Sequence, residues 1–164
     1  MNYHNITKDD MLNGDGLRSV LWVSGCNHCC DGCQNPETWD CASGIEFDQA
    51  AEDELFESLA PEHISGITFS GGDPLHPFNR PEVLRLAQKI KETMPEKTVW
   101  MYTGYLWEEI KDSIDLKNID VLIDGEFKQE LNDNQLKWIG SSNQRIIDVQ
   151  KTIAQGEIVL HCKN

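Results

Sequence analysis

The chain has 164 residues, of which 39% are hydrophobic and 26% are charged, a composition typical of an ordinary soluble globular domain. Its 28 acidic and 14 basic side chains give a net charge of −14, which argues against a nucleic-acid-binding function because an acidic surface repels phosphate. The polar first residues do not resemble a secretory signal, and no window approaches the roughly 18 apolar residues of a membrane span, so we expect a cytoplasmic protein without a membrane partner.

Short apolar runs alternate with helical patterns along the chain, which predicts strands and helices in alternation. The runs predicted as strands are 17–23, 66–70, 98–102, 121–123 and 146–149, with 158–160 as a sixth strand or part of a tail. The helical patterns run from a cap at Asp48 to about Leu59, from Pro81 to a stop at Pro95, and over 106–114.

This alternation predicts an α/β fold with a parallel sheet and right-handed crossovers. Because the strand–helix units are too few for a full eight-stranded barrel, we predict an incomplete (partial) α/β barrel. We expect residues 1–164 to form a single domain, with 151–164 as a C-terminal tail to which the sequence assigns no role. The polar loops follow the carboxyl ends of the predicted strands, and in this fold class that edge carries the active site.

Six cysteines are present, and four of them lie within eight residues: Cys26, Cys29, Cys30 and Cys33. In a chain too large to need disulfide staples, this clustering favours a metal centre. Cys26, Cys30 and Cys33 are separated by three and two residues, a spacing at which thiolates wrap a compact iron–sulfur cluster and leave one iron without a protein ligand. Cys29 adjoins Cys30 in a bent loop, and we expect it to point away and not to be a ligand.

The alternative metal is zinc, with His28 or Cys29 as the fourth ligand. Zinc ribbons and knuckles generally pair two short ligand motifs along the chain, whereas Cys41 and Cys162 stand alone here. The spacing therefore favours an iron–sulfur cluster over zinc, and both remain open on the cysteines alone.

A second motif follows the cysteines in the next strand–loop unit, namely Ser70-Gly71-Gly72-Asp73-Pro74-Leu75. The two motifs in this order resemble the radical S-adenosylmethionine superfamily. Further segments resemble one branch of it, the activating proteins of anaerobic ribonucleoside-triphosphate reductases: Asn13-Gly14, Asn35, Trp39, 71–77, 102–105, 124–127 and 138–145. The resemblance covers about residues 1–149. Asp15 and Gln34 depart from the family's pattern without removing a cluster ligand, and Gln34 weakens the expectation of stacking beside an adenine.

The resemblance implies a partial barrel of the radical S-adenosylmethionine type and an oxidoreductase that cleaves S-adenosylmethionine to a 5′-deoxyadenosyl radical. That radical would take a hydrogen from a glycine of the large subunit of the anaerobic ribonucleoside-triphosphate reductase. The implied electron donor is a reduced flavodoxin- or ferredoxin-like protein, and a homodimer is compatible with the resemblance.

The same resemblance implies a 4Fe-4S cluster and S-adenosylmethionine as cofactors, with no catalytic residue beyond them. The implied cluster ligands are Cys26, Cys30 and Cys33. The implied contacts to S-adenosylmethionine are Gly32, Cys33, Gln34, Gly71, Gly72, Asp73 and Pro74.

Several side chains have two interpretations at this stage. Asp73 either receives the ammonium group of S-adenosylmethionine or orders its own loop. Asp124 either contacts ribose hydroxyls or caps a loop, and Arg145 either contacts the partner or pairs with a carboxylate. We interpret His28 as a histidine satisfied within its loop rather than as a ligand.

Two other functions compete with this interpretation. One is activation of a different glycyl-radical enzyme, such as a formate acetyltransferase, against which the short chain and the segment 140–145 argue. The other is a non-enzymatic zinc or iron–sulfur module that only binds a partner. Formation of 5′-deoxyadenosine by the reduced, iron-loaded protein distinguishes an enzyme from such a module.

Overall fold

The computed structural model describes all residues from Met1 to Asn164. Its strands are β1 (Asn2–Asp10), β2 (Leu17–Val23), β3 (Ile45–Glu46), β4 (Ile64–Gly71), β5 (Thr98–Tyr102), β6 (Val121–Asp124) and β7 (Arg145–Asp148). Its helices are α1 (Gln49–Leu59), α2 (Arg80–Thr93), α3 (Trp107–Ile110) and α4 (Val149–Gln155). None of these helices combines the length and the apolar character that crossing a membrane requires.

All seven strands belong to one sheet with the order β3-β1-β2-β4-β5-β6-β7. The neighbours β2, β4, β5 and β6 run parallel, whereas β1, β3 and β7 pair antiparallel. The predicted α/β fold is thus confirmed, whereas the prediction of a parallel sheet holds only for its four central strands. The connection from β1 to β2 is too short for the crossover that parallel neighbours need, which makes that pair antiparallel. The partial-barrel shape stays a prediction.

The sequence interpretation missed β1 because its buried side chains do not alternate. Tyr3 and Ile6 are buried three positions apart, with a register shift between Tyr3 and Asn5 that inserts an extra residue. Such a bulge hides the two-residue period by which a strand is recognised. The third predicted helix is also shorter than expected, since only Trp107–Ile110 is helical within 106–114.

The first two helices form where the sequence predicts them. Asp48 caps α1 by accepting a hydrogen bond from the main-chain N–H of Ala51 at 2.9 Å. Pro81 lies in the first turn of α2, where its missing N–H costs no helical hydrogen bond, and the helix ends at Thr93, before Pro95. Both helices cover the same face of the sheet.

The two faces of the sheet differ in character. On β5, Val99 and Met101 belong to a core of 25 buried residues beneath α1 and α2, whereas Trp100 belongs to a cluster of four on the opposite face. That opposite face carries no helix in front of it and includes the buried Arg18. Burial lowers the pKa of Arg18 to about 10, so its guanidinium stays charged at neutral pH.

The C-terminal tail has a defined place. After α4, the main-chain N–H of His161 donates to the carbonyl of Ile146 at 2.8 Å, beside a single bridge between Leu160 and Ile147. The ring of His161 bonds Asp15 at 2.7 Å, 146 residues earlier in the chain. The segment predicted as a sixth strand or a tail is therefore a tail that lies along the edge of β7.

Candidate functional site

A cavity of about 530 Å³ lies where the carboxyl ends of the four parallel strands meet. This volume is within the range of roughly 300–1,000 Å³ found for small-molecule sites. The loops after β2, β4, β5 and β6 all contribute to its wall, and the cavity continues along the helix-free face past Trp22, Tyr102 and Trp138. The expectation that the polar loops share one edge of the sheet is confirmed.

The structure brings most of the predicted site residues into the wall of this one cavity: Cys26, Cys30, Cys33, Gln34, Gly71, Gly72 and Asp73. Gly32 and Pro74 adjoin it in sequence without lining it. Gly32 has a φ of +74°, a conformation that favours glycine, and an added Cβ would lie 2.8 Å from the side chain of Gln129. The turn and this close neighbour account for the glycine, and its contact with S-adenosylmethionine stays a prediction.

Hydrogen bonds order the cysteine loop at both of its ends. At its start the main-chain N–H of Cys26 donates to the carbonyl of Trp39 at 3.0 Å. At its end the N–H of Asn35 donates to Sγ of Cys33 at 3.4 Å. Cys29 is exposed, has a φ of +48° and does not line the cavity, in agreement with the expectation that it points away. All six cysteines are free thiols.

The three cavity cysteines suit a soft metal centre that displaces their protons. Burial raises the pKa of Cys26 to about 11 and also raises the pKa of Cys30, so these thiols are protonated at neutral pH when no metal is bound. Metal ligation needs the thiolate and therefore releases these protons. The sulfurs share a wall without converging on one point, since no three His, Cys, Asp or Glu side chains are arranged around a single ion. Three thiols around one cavity are a donor set that a multi-iron cluster can use.

The loop after β4 lies in direct main-chain contact with the loop after β2. The N–H of Gly72 donates to the carbonyl of Val23, and the N–H of Asp73 donates to the carbonyl of Gly25, both at 2.7 Å. A Cβ on Gly72 would lie 2.5 Å from the Gly25 oxygen, so only glycine permits this approach. The carbonyl of Gly72 accepts no main-chain hydrogen bond and is available to a donor such as an ammonium group.

Asp73 orders the loops around the cavity. Its side chain is 3% exposed and accepts hydrogen bonds from Leu75 N–H at 2.8 Å, Thr103 Oγ1 at 2.9 Å and Gly104 N–H at 2.9 Å. It also pairs with the ring of His28 at 2.9 Å. Of the two interpretations offered by the sequence, the structure shows loop ordering, and a contact between this carboxylate and S-adenosylmethionine stays a prediction.

His28 is the site residue whose role the sequence interpretation missed. Its ring lies between the carboxylates of Asp73 and Glu126, at 2.9 and 2.8 Å, and its side chain is 12% exposed. Carboxylates only accept, so both ring nitrogens donate. The hydrogen bond to Asp73 is the main cause that raises the pKa of His28 to about 9, which keeps the ring charged at neutral pH. The only signal in the sequence was its place between two cysteines.

Asp124 and Arg145 form a structural pair beside the cavity. Asp124 is fully buried, accepts a hydrogen bond from the main-chain N–H of Trp107 at 2.8 Å, and binds Nε of Arg145 at 3.0 Å. Arg145 also contacts both carboxylate oxygens of Glu108, at 3.1 and 2.8 Å. In this structure Asp124 therefore caps the start of α3, and Arg145 pairs with carboxylates, whereas contacts of Asp124 with ribose and of Arg145 with a partner stay predictions.

Replacing Arg145 by alanine is expected to lower the free energy of unfolding by about 3 kcal/mol, because it leaves the buried Asp124 carboxylate unpaired. Urea denaturation of the two proteins measures this loss. The matched control is Glu108→Gln, which removes the outer partner of the same arginine. Since Glu108 is 54% exposed, this change should cost less than about 1 kcal/mol. Equal losses in the two variants would contradict the assignment.

The chain is similar to proteins of known name over most of its length. A family model described as "4Fe-4S single cluster domain" matches residues 12–147. The anaerobic ribonucleoside-triphosphate reductase-activating protein of Vibrio cholerae is 46% identical over 150 residues, which are 89% of this chain and 97% of that protein. The protein of the same name from Escherichia coli K12 is 47% identical, over 88% of this chain and 96% of that protein. The one from Enterobacteria phage T4 is 44% identical, over 89% of this chain and 93% of that protein.

Proposed function

Because the chain belongs to the family of anaerobic ribonucleoside-triphosphate reductase-activating proteins, we propose that it generates the glycyl radical of that reductase. The observation that carries the proposal is one cavity shared by three cysteines and a Gly-Gly loop with a free carbonyl. Reductive cleavage of S-adenosylmethionine to a 5′-deoxyadenosyl radical, driven by an electron from a bound 4Fe-4S cluster, is the chemistry we assign to this cavity.

Cys26, Cys30 and Cys33 would hold the cluster as thiolates. These are the only cysteines in the cavity wall, and three ligands leave one iron of a four-iron cluster open to a small molecule. The N–H group of Asn35, which donates to Cys33, would lower the charge on that sulfur and so help to set the reduction potential.

The Gly71-Gly72 loop would hold the amino-acid end of S-adenosylmethionine. The main-chain bonds from Gly72 and Asp73 to the β2 loop fix this loop next to Cys26, and they leave the Gly72 carbonyl as an acceptor for an ammonium group. Gln34 follows Cys33 in the cavity wall and would lie beside the adenosyl group. Enclosure by four loops would keep water and stray C–H bonds away from a reactive carbon radical.

The proposal also includes the substrate protein, the electron donor, the cellular compartment and the oligomeric state. The substrate would be a glycine in the large subunit of the anaerobic ribonucleoside-triphosphate reductase, and the electron donor a reduced flavodoxin- or ferredoxin-like protein. We place the reaction in the cytoplasm and include a homodimer as the oligomeric state. The resemblance to the family is the support for these four points.

The test is to mix the iron-loaded and reduced protein anaerobically with S-adenosylmethionine and the candidate reductase. We expect 5′-deoxyadenosine by chromatography and a glycyl radical signal by electron paramagnetic resonance, with neither product when S-adenosylmethionine is left out. Nucleoside formation without a radical on this reductase, but with one on a formate acetyltransferase, would identify a different partner. A colourless protein with stoichiometric zinc and no nucleoside would contradict the proposal.

A further inference from the structure

The segment 27–32, which carries Cys30, has few attachments to the rest of the protein. The segment takes part in one main-chain hydrogen bond, from Cys33 N–H to the Cys30 carbonyl. This bond only closes a local turn. Apart from the cysteines, its only side chain with hydrogen bonds to other parts of the chain is His28. Besides a hydrogen bond from the main-chain N–H of Phe127 to the Cys30 thiol, the position of the segment relative to the sheet therefore depends mainly on this imidazole ring.

That ring is held on three sides. Its two nitrogens bind Asp73 of the β4 loop and Glu126 of the β6 loop, at 2.9 and 2.8 Å. Tyr105 packs edge-on against it, with ring centroids 4.7 Å apart and an interplanar angle of 77°. Gly104 makes room for it, since a Cβ there would lie 2.5 Å from the ring.

The contact to Asp73 connects the two halves of the proposed site. The same carboxylate orders the residues that follow the Gly-Gly pair by accepting from Leu75 N–H, and it fixes the β5 loop through Thr103 and Gly104. Asp73 N–H is also bonded to the Gly25 carbonyl, next to Cys26. A shift of His28 would thus move Cys30 relative to the loop proposed to hold the ammonium group.

We propose that His28 is a positioning residue that fixes the cysteine loop against the Gly71-Gly72 loop and so sets the geometry in which S-adenosylmethionine binds. The proposal rests on the function proposed above. His28 lines the same cavity, and the role we assign to it is exerted through its hydrogen bonds to Asp73 and Glu126. Its loss should leave the three thiols in place and weaken binding of the small molecule.

The loaded protein provides the first test, with His28→Ala, His28→Gln and the control His63→Gln. His63 also bonds an aspartate, Asp9 at 3.0 Å, on the exposed surface. We expect His28→Ala to retain its iron and to require about tenfold more S-adenosylmethionine to change the electron paramagnetic resonance spectrum of the reduced cluster. His28→Gln keeps a donor for Asp73 and should recover most of this affinity, and the control should match the unaltered protein.

Hydrogen exchange of the metal-free protein provides a second test that is independent of the proposed function. Peptides that cover 27–32 should exchange faster in His28→Ala than in the unaltered chain, and His63→Gln should not change them. Unchanged exchange in 27–32, or unchanged affinity for S-adenosylmethionine while the unaltered protein is active, would overturn the proposal. Loss of iron from His28→Gln would overturn it as well, because His28 would then be needed to hold the cluster. If His28→Ala does not fold, His28→Gln is used instead. Because glutamine keeps the donor for Asp73 but not both hydrogen bonds of the ring, it should still bind S-adenosylmethionine more weakly and exchange faster in 27–32 than the unaltered protein.

The two proposals fail in different ways. If the unaltered protein forms no 5′-deoxyadenosine, the proposed function is wrong, whereas the exchange experiment still reports whether His28 orders the loop. If the unaltered protein is active and His28→Ala binds S-adenosylmethionine equally well, only the role of His28 is wrong.

Discussion

Alanine at Cys26, Cys30 or Cys33 is expected to abolish cleavage of S-adenosylmethionine and to remove most of the iron bound by the protein. Each of these thiols lines the cavity, and a cluster that loses one of three ligands has no replacement sulfur in the wall. Iron content per chain, the visible absorption of the cluster and 5′-deoxyadenosine formation measure the effect. No other single substitution in this chain should cause a larger loss of iron and of cleavage activity.

The matched controls are alanine substitutions of the remaining cysteines, Cys29, Cys41 and Cys162, none of which lines the cavity. They should retain the cluster and the cleavage activity. Cys29→Ala is the most informative of the three, because Cys29 directly precedes Cys30. If Cys29→Ala lost its iron while Cys30→Ala stayed active, the third cluster ligand would be Cys29 and not Cys30.

Gly72→Ala is expected to reduce S-adenosylmethionine cleavage by about 100-fold, since an error of about 1 Å in a reacting geometry has an effect of this size. The added Cβ would lie 2.5 Å from the carbonyl oxygen of Gly25 and 2.9 Å from its nitrogen. Neither is the end of a flexible side chain, so the two loops must separate. Overpacking of this kind also lowers stability by about 1–3 kcal/mol. Steady-state rates and urea denaturation measure the two effects.

Gly156→Ala separates the loss of activity from the loss of stability. Gly156 ends α4 with a φ of +74°, and nothing lies within 4 Å of an added Cβ. The substitution should cost about 1 kcal/mol through backbone strain and leave the cleavage rate unchanged. If Gly156→Ala lowered the rate as much as Gly72→Ala does, general destabilisation would explain both results, and the close contact between the loops would not.

The strands and helices were predictable where the local pattern was strong. Apolar runs at 17–23 and 98–102 coincide with β2 and β5, and a capping aspartate marks the start of α1. The pattern failed at β1, where a bulge breaks the alternation, and at α4, which begins at the last residue of the predicted strand 146–149 and continues into the unassigned tail. In both places a tertiary partner stabilises the element, since β1 pairs with β2 and β3 and the residues after α4 lie along β7.

The amino-acid sequence alone determined the cysteine spacing, the Gly-Gly motif after the next strand and the order of the central strands and helices. These features are local, because each depends on residues within a few positions of one another. Only the tertiary structure decided that His28 bridges Asp73 and Glu126, which lie 45 and 98 residues away, and that Arg145 neutralises Asp124. Such pairs depend on which strands become neighbours in the sheet, and no pattern of nearby residues carries that information.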